Sequence, residues 1–196
     1  MKTKIYLVRH GEVENPKDTH YGRMPGFSLS NKGLIQAKET GKFLEQFSIE
    51  KIYSSPLERA AETASEISKN LSIKVELVDQ LLEVHSKWDG TPRVEMAKRD
   101  WNLFEHPDGA LETIEDFFER VYGFFLLINE KHVGEEIVVV AHGDSVMIPK
   151  ARSKGVSFEN IHTSDVYAEY VSYAEVHEVL MGKDDFSMKS IFIPKQ

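Results

Sequence analysis

The sequence predicts an α/β protein: a three-layer α/β/α arrangement whose sheet is mainly parallel and ends in an antiparallel edge strand. Three observations carry this expectation. Short apolar, β-branched runs alternate with segments of helical periodicity over most of the 196 residues, which is the pattern of a parallel sheet covered on both faces. Two of the runs end alike: Ile5-Tyr6-Leu7-Val8 leads into Arg9-His10-Gly11-Glu12, and Ile137-Val138-Val139-Val140-Ala141 leads into His142-Gly143-Asp144. After Asp165 the chain alternates in the manner of antiparallel strands.

The elements follow in order. Lys4 to Val8 is the first strand, and Glu12 to Leu29, rich in Gly, Pro and Asn, is a loop. Ser30 caps a helix that carries Leu34, Ala37, Phe43, Leu44 and Phe47. Ile52-Tyr53 is a short strand. Ser54-Ser55-Pro56-Leu57 supplies a cap and a first-turn proline for a helix through Arg59, Ala60, Thr63, Ala64 and Ile67. Lys74 to Val78 is a third strand. Around residues 80–110 periodicity weakens, and Trp88, Arg93, Lys98, Arg99 and Trp101 are expected in a lid-like insertion with a short helix over the site. Leu111 to Lys131 is a strong helix, with Ile114, Phe117, Phe118, Val121, Phe125 and Ile128 on one face. Behind the second histidine a helix runs from Ser145 to about Lys154. Val166-Tyr167, Tyr170-Val171, Val176 to Leu180 and Ser190 to Ile193 complete the sheet. One domain, residues 1–196, accommodates all of this.

Composition narrows the partners. No apolar run reaches membrane-spanning length and no charged-then-apolar signal segment opens the chain, so no membrane partner is expected. Cysteine is absent, which removes disulfides and thiolate chemistry and fits a cytoplasmic location. A net charge of −8, from 24 basic and 32 acidic residues, argues against nucleic acid as a partner. A few converging cations still suffice to bind a phosphate.

Ligands of open α/β sheets bind beyond the C-terminal ends of parallel strands. His10 and His142, each at such an end before a glycine, are therefore expected to share one site, and Arg9 makes it a site for an anion. A neutral imidazole is a nucleophile toward phosphorus when its other ring nitrogen is held, and the turn at Gly11 offers a backbone carbonyl. The planar guanidinium of Arg9 suits phosphoryl oxygens. A protonated His142 would add a donor. Arg59, in the first turn of a helix that follows a strand, can aim at the same crevice, where a helix N-terminus already favours anions. Glu83, after the apolar pair Leu81-Leu82, is the candidate acid for a leaving oxygen, with its pKa raised by burial. Taken singly, each has an ordinary structural alternative: core histidines, an arginine paired with Glu58 or Glu62, a solvated glutamate. Tyr21, Trp88 and Trp101 can stack on a ring, and Tyr167, Tyr170 and Tyr173 can pack between the subunits of a homodimer.

Together, Arg9-His10-Gly11-Glu12, the run Ser54-Ser55-Pro56-Leu57-Glu58-Arg59-Ala60-Ala61-Glu62-Thr63-Ala64, Leu82-Glu83 and Ala141-His142-Gly143 resemble the histidine phosphatase superfamily, also called phosphoglycerate mutase-like. The motifs stand in the family's order and cover most of the chain. The resemblance implies that His10 is the phosphorylated nucleophile, that Arg9, Arg59 and His142 form the phosphate pocket, that Glu83 donates the proton, and that no metal or organic cofactor takes part. Members often carry Ser or Thr three residues after the nucleophile and Asn six after it. Here Val13 and Pro16 stand there, with Asn15 one place early. Asn15, Tyr21 and Arg23 are the substrate-contact candidates of this loop. The mutase tract Glu-Arg-His-Tyr-Gly is replaced by Glu83-Val84-His85-Ser86-Lys87-Trp88-Asp89-Gly90, which looks more like the phosphatase branch. The expected function is hydrolysis of a small phosphorylated metabolite through a phosphohistidine. The alternative within enzymes is a metal-independent phosphomutase acting on phosphoglycerate or a sugar phosphate. Two other classes are a metal hydrolase built on His10, Glu12, His142 and Asp144, and a binding module without turnover.

Overall fold

In the computed structural model, which describes residues 3–181 and 186–196, six strands build one sheet: β1 (Lys4–Arg9), β2 (Ile49–Ser54), β3 (Val75–Leu77), β4 (Glu136–Ala141), β5 (Val176–Met181) and β6 (Phe186–Phe192). Their order is β3-β2-β4-β1-β5-β6. The first four run parallel, and β5 and β6 add an antiparallel edge. Helices α1 (Asn31–Leu44) and α2 (Glu58–Leu71) cover one face. Helices α4 (Ile114–Lys131) and α5 (Gly143–Ser153) cover the other, after the short α3 (Arg93–Ala97).

The period-two alternation of β1 sets these layers. Tyr6 and Val8 pack with Leu44, Ala60 and Ile67 on the α1/α2 side, whereas Ile5 and Leu7 pack with Phe117, Phe125 and Val146 on the other. β4 divides likewise, with Val138 and Val140 on one side and Ile137 and Val139 on the other. Every one of these eight strand side chains is fully buried, so both strands need apolar residues at successive positions. Arg9 stands in register with Ala141, and the next residues, His10 and His142, leave the sheet side by side. From there β1 leads to α1 on one face and β4 to α5 on the other. Adjacent parallel strands whose connections part in this way open a crevice between them.

Several boundaries move for identifiable reasons. Ser30 does cap α1, its Oγ accepting the Gly33 N–H at 3.0 Å. Helix α4 starts at Ile114 because Thr113 and Asp116 form a reciprocal capping box. The third strand keeps only Val75–Leu77 of the expected run. Helix α5 begins at Gly143, with His142 itself as the N-cap residue. The strands expected at Val166-Tyr167 and Tyr170-Val171 do not form. Asp165–Ala168 is instead a single helical turn, α6, after an extended Ser164. Apolar pairs three to four residues apart suit a helical turn as well as a strand, and here Asp144 recruits the hydroxyls of both Tyr167 and Tyr170.

Candidate active site

His10 is held by its own turn. Its Nδ1 lies 2.7 Å from the Gly11 carbonyl oxygen, an acceptor only, so Nδ1 carries the hydrogen. Nε2 is left with its lone pair, and Arg59 Nε donates to it at 3.3 Å. Burial first, and then the charges of Arg59 and Arg9, hold the His10 pKa well below the usual histidine value against the pull of the Gly11 carbonyl. The ring is therefore neutral near pH 7 with Nε2 nucleophilic. The turn itself requires Gly11: a Cβ there would sit 2.6 Å from the Gly33 carbonyl oxygen. The Gly11 N–H is taken up by Thr63 Oγ1 at 3.0 Å, which in turn donates to the Arg59 carbonyl one helical turn back, at 2.7 Å.

Arg59 is the largest fully buried side chain described. Its place as the second residue of α2 sends the guanidinium back to the end of β1. Nη2 donates to the Gly22 carbonyl at 2.7 Å, and the Tyr21 ring lies 4.7 Å beneath the guanidinium carbon. Arg9 approaches from β1, with Nη1 bonded to the Val171 carbonyl and the guanidinium over Tyr173 at 4.1 Å. Its Nε is buried without a partner among the described residues.

His142 sits 5.5 Å from His10, ring centre to ring centre. Its Nε2 lies 2.8 Å from Ser55 Oγ, which also accepts the Leu57 N–H at 3.3 Å. The Ser55 hydroxyl thus bridges the Leu57 N–H and the His142 ring. His142 Nδ1 is buried with no partner among the described residues. Burial, then Arg59 and His10, hold this histidine well below its usual pKa as well. In the neutral form the ring carries one N–H and offers a single donor. Ser55 is no helix cap: Leu57 occupies the N-cap position of α2 without a side-chain bond.

Glu83 is 8% exposed, and Oε1 accepts the Val84 N–H at 2.9 Å. Burial first, then Asp144, push its pKa up to about 7 against the opposing pull of Arg59. A carboxyl in this range is a usable proton donor and, once ionised, a usable base.

A cavity of about 630 Å³ opens in front of these groups. Arg9, His10, Tyr21 and Glu83 line it, joined by Arg93, Trp101 and Leu103 from the 80–110 segment and by Asp144, His162, Tyr167, Tyr170 and Tyr173. Arg59 and His142 are fully buried beside His10. Of the three substrate-contact candidates, only Tyr21 reaches this space. Asn15 does not join it, because its carboxamide closes a turn, donating to the Thr19 carbonyl at 2.8 Å and accepting the Thr19 N–H at 3.2 Å. Arg23 does not line it either, and donates to the Glu83 carbonyl at 2.7 Å. Tyr167, Tyr170 and Tyr173, expected between subunits, wall the cavity instead. The four residues of the metal-hydrolase alternative do not gather: Glu12 accepts from Ser30 Oγ and pairs with Lys32, and Asp144 is taken by two tyrosines.

A crevice that gathers two histidines from neighbouring strand ends and two arginines, one from β1 and one from α2, beside a buried carboxyl of raised pKa, defines a class of phosphoryl-handling folds. Residues 5–193 match the family model of the histidine phosphatase superfamily (branch 1), and the chain belongs to that superfamily. It is 32% identical over 149 residues to the uncharacterized phosphatase PhoE of Bacillus subtilis, covering 74% of each chain. It is 33% identical over 150 residues to phosphoserine phosphatase 1 of Hydrogenobacter thermophilus, covering 71% of this chain and 70% of that one. Among solved structures, YhfR of Bacillus stearothermophilus superposes with a TM-score of 0.81 at 24% identity over 96% of both chains. The mycobacterial glucosyl-3-phosphoglycerate phosphatase Rv2419c superposes at 0.80 with 19% identity over the full length of both. These two likenesses concern the fold.

Arg59→Ala is expected to lower kcat/KM by about 100- to 1000-fold, roughly 3–4 kcal/mol, the cost of one charged donor removed from a buried oxyanion site. Steady-state kinetics with p-nitrophenyl phosphate measure this, and a loss smaller than tenfold would show that Arg59 serves packing alone.

Proposed function

We propose that this chain is a phosphatase of small phosphorylated metabolites that works in two steps through a phosphohistidine. The observation that carries the reading is His10: its tautomer is fixed by the Gly11 carbonyl, its pKa is held low, and Nε2 faces Arg59. In the first step Nε2 attacks phosphorus, the bond from phosphorus to the ester oxygen breaks, and Glu83 gives its proton to the departing alkoxide. The phosphoryl oxygens take over donors of Arg9 and Arg59 and a ring N–H of His142, which offset the charge that builds on them. In the second step ionised Glu83 takes a proton from water, the water oxygen attacks phosphorus, and the P–N bond breaks to restore His10. Three donor side chains, two of them cationic, take the place a metal would fill at the phosphoryl group, so the chemistry asks for no metal.

The substrate's remainder occupies the 630 Å³ cavity, with the 80–110 segment as its lid through Arg93, Trp101 and Leu103. Phosphoserine and glucosyl-3-phosphoglycerate, named for two similar proteins, lie within the size such a cavity takes. The test is a rapid quench of enzyme with excess substrate in buffer containing a chelator, followed by digestion and peptide mapping. An acid-labile, alkali-stable phosphate on the His10 peptide is expected. Phosphate found on another residue, or activity restored only by added metal, would overturn the mechanism.

A further inference from the structure

We infer that Glu112, Arg120 and Arg23 form a positioning clamp that holds Glu83 in register with the phosphoryl site. The inference rests on Glu83 as the proton donor.

The chain around Glu83 is irregular: after the short turn at Asp79–Leu81 it enters no helix or strand until Arg93. A carboxyl that must give a proton to one ester oxygen, and later draw one from water, needs its backbone fixed to a fraction of an ångström. Regular structure does not supply this here. A side-chain network does. Arg120, on α4, donates through Nη1 to the carbonyls of Gln80 at 2.8 Å and Leu82 at 2.9 Å. Arg23 donates through Nε to the carbonyl of Glu83 itself at 2.7 Å. Three carbonyls on the approach to the acid are thus held by two guanidinium groups.

Glu112 ties the two arginines together. Its Oε1 accepts from Arg120 Nε at 2.8 Å and its Oε2 from Arg120 Nη2 at 2.9 Å, the two-pronged geometry of a strong arginine–carboxylate pair. The same Oε2 accepts Arg23 Nη2 at 3.3 Å and the His85 N–H at 2.9 Å. One carboxylate therefore fixes the chain after Glu83 directly and the chain before it through Arg120. Its side chain is only 12% exposed, and those of Arg120 and Arg23 are 20% and 25% exposed, so solvent weakens the network little. None of the three lines the cavity. They act on the reaction only through the place they give Glu83.

A clamp of this kind has a signature that a merely structural network lacks. Loosening it should harm the step that needs a proton at one atom and spare the step that does not. The experiment compares wild type, Glu112→Ala and Glu83→Gln in rapid-mixing assays with p-nitrophenyl phosphate and with an alkyl phosphate of similar size. For Glu112→Ala, phosphorylation by the alkyl ester is expected to slow by about 10- to 100-fold. KM and the p-nitrophenol burst should each stay within about threefold, since the nitrophenolate leaves without protonation. Thermal unfolding accompanies each variant. If Glu112→Ala does not fold, Arg120→Met takes its place, keeping the packing on Phe117 while removing the donors. Equal slowing of both esters by the clamp variant, or no slowing of either, would overturn the clamp when Glu83→Gln still discriminates between them. If Glu83→Gln itself fails to discriminate, the assignment of Glu83 as acid falls, and the clamp falls with it.

Discussion

Replacing His10 with alanine is expected to abolish turnover and leave the fold intact. The fold survives because the ring is not part of either apolar core: its contacts are polar, to the Gly11 carbonyl and Arg59, or are ring edges of the pocket wall. Arg59 keeps its bond to the Gly22 carbonyl and its place over Tyr21. Turnover is lost because no neighbour can replace the nucleophile. His142 is the nearest candidate, but it is fully buried with its Nε2 engaged with Ser55. Loss of a covalent nucleophile from an intact site lowers kcat by at least about 10⁴-fold. Phosphate release measures the rate, and circular dichroism with thermal melting checks the fold. Turnover within tenfold of wild type would sink the covalent route.

The geometry behind that expectation was readable where chemistry and topology coincide. Two apolar strands ending in His-Gly specify adjacent sheet positions, because strand register and the C-terminal rule act on short stretches of chain. Arg59 was readable because the Ser-Pro turn marks where α2 begins, although Pro56 precedes the N-cap residue Leu57 and is not in the first turn as expected. The turn at Gly11 was readable as a source of a carbonyl because the residue after a strand-end histidine has little choice of direction. What stayed hidden depends on contacts between distant segments. The tyrosines at 167, 170 and 173 reach the pocket through Asp144 and Arg9, partners more than twenty residues away. Ser55 reads as a cap because its neighbours are Ser54 and Pro56, yet its hydroxyl belongs to His142, 87 residues on. Thr63 carries a local signal: it lies one helical turn after Arg59, on the face that meets the Gly11 loop. Asn15 and Arg23 show the reverse. Their residue types suit substrate contacts, but backbone groups and Glu112 claim them first.

Glu83→Gln is expected to separate the acid from the nucleophile by pH, leaving group and stability at once. The substitution keeps the side chain's shape and the Val84 contact but cannot transfer a proton. For the wild type, phosphorylation should fall at low pH as His10 takes a proton, below the ordinary histidine range because burial and two arginines hold its pKa down. It should fall at high pH as Glu83 ionises around its value of about 7, giving a bell. In Glu83→Gln the alkaline limb disappears. Phosphorylation by alkyl phosphates slows by about 100- to 10,000-fold, the usual range for a general acid. The p-nitrophenol burst is far less affected, while hydrolysis of the phosphohistidine slows because the base is gone, so phosphoenzyme accumulates. Stability should move the other way. Glu83 binds its proton more tightly when folded, so the unfolded chain ionises first as pH rises from the ordinary glutamate value of 4.5 toward about 7. Native stability therefore declines across that window and stays lowered above it. Glutamine carries no such penalty: the variant should melt higher than wild type at pH 8, with the gap closing as pH approaches 4.5. A burst slowed equally for both leaving groups would remove Glu83 as the acid. A melting difference that does not vary with pH would show that its carboxyl is not held protonated by burial.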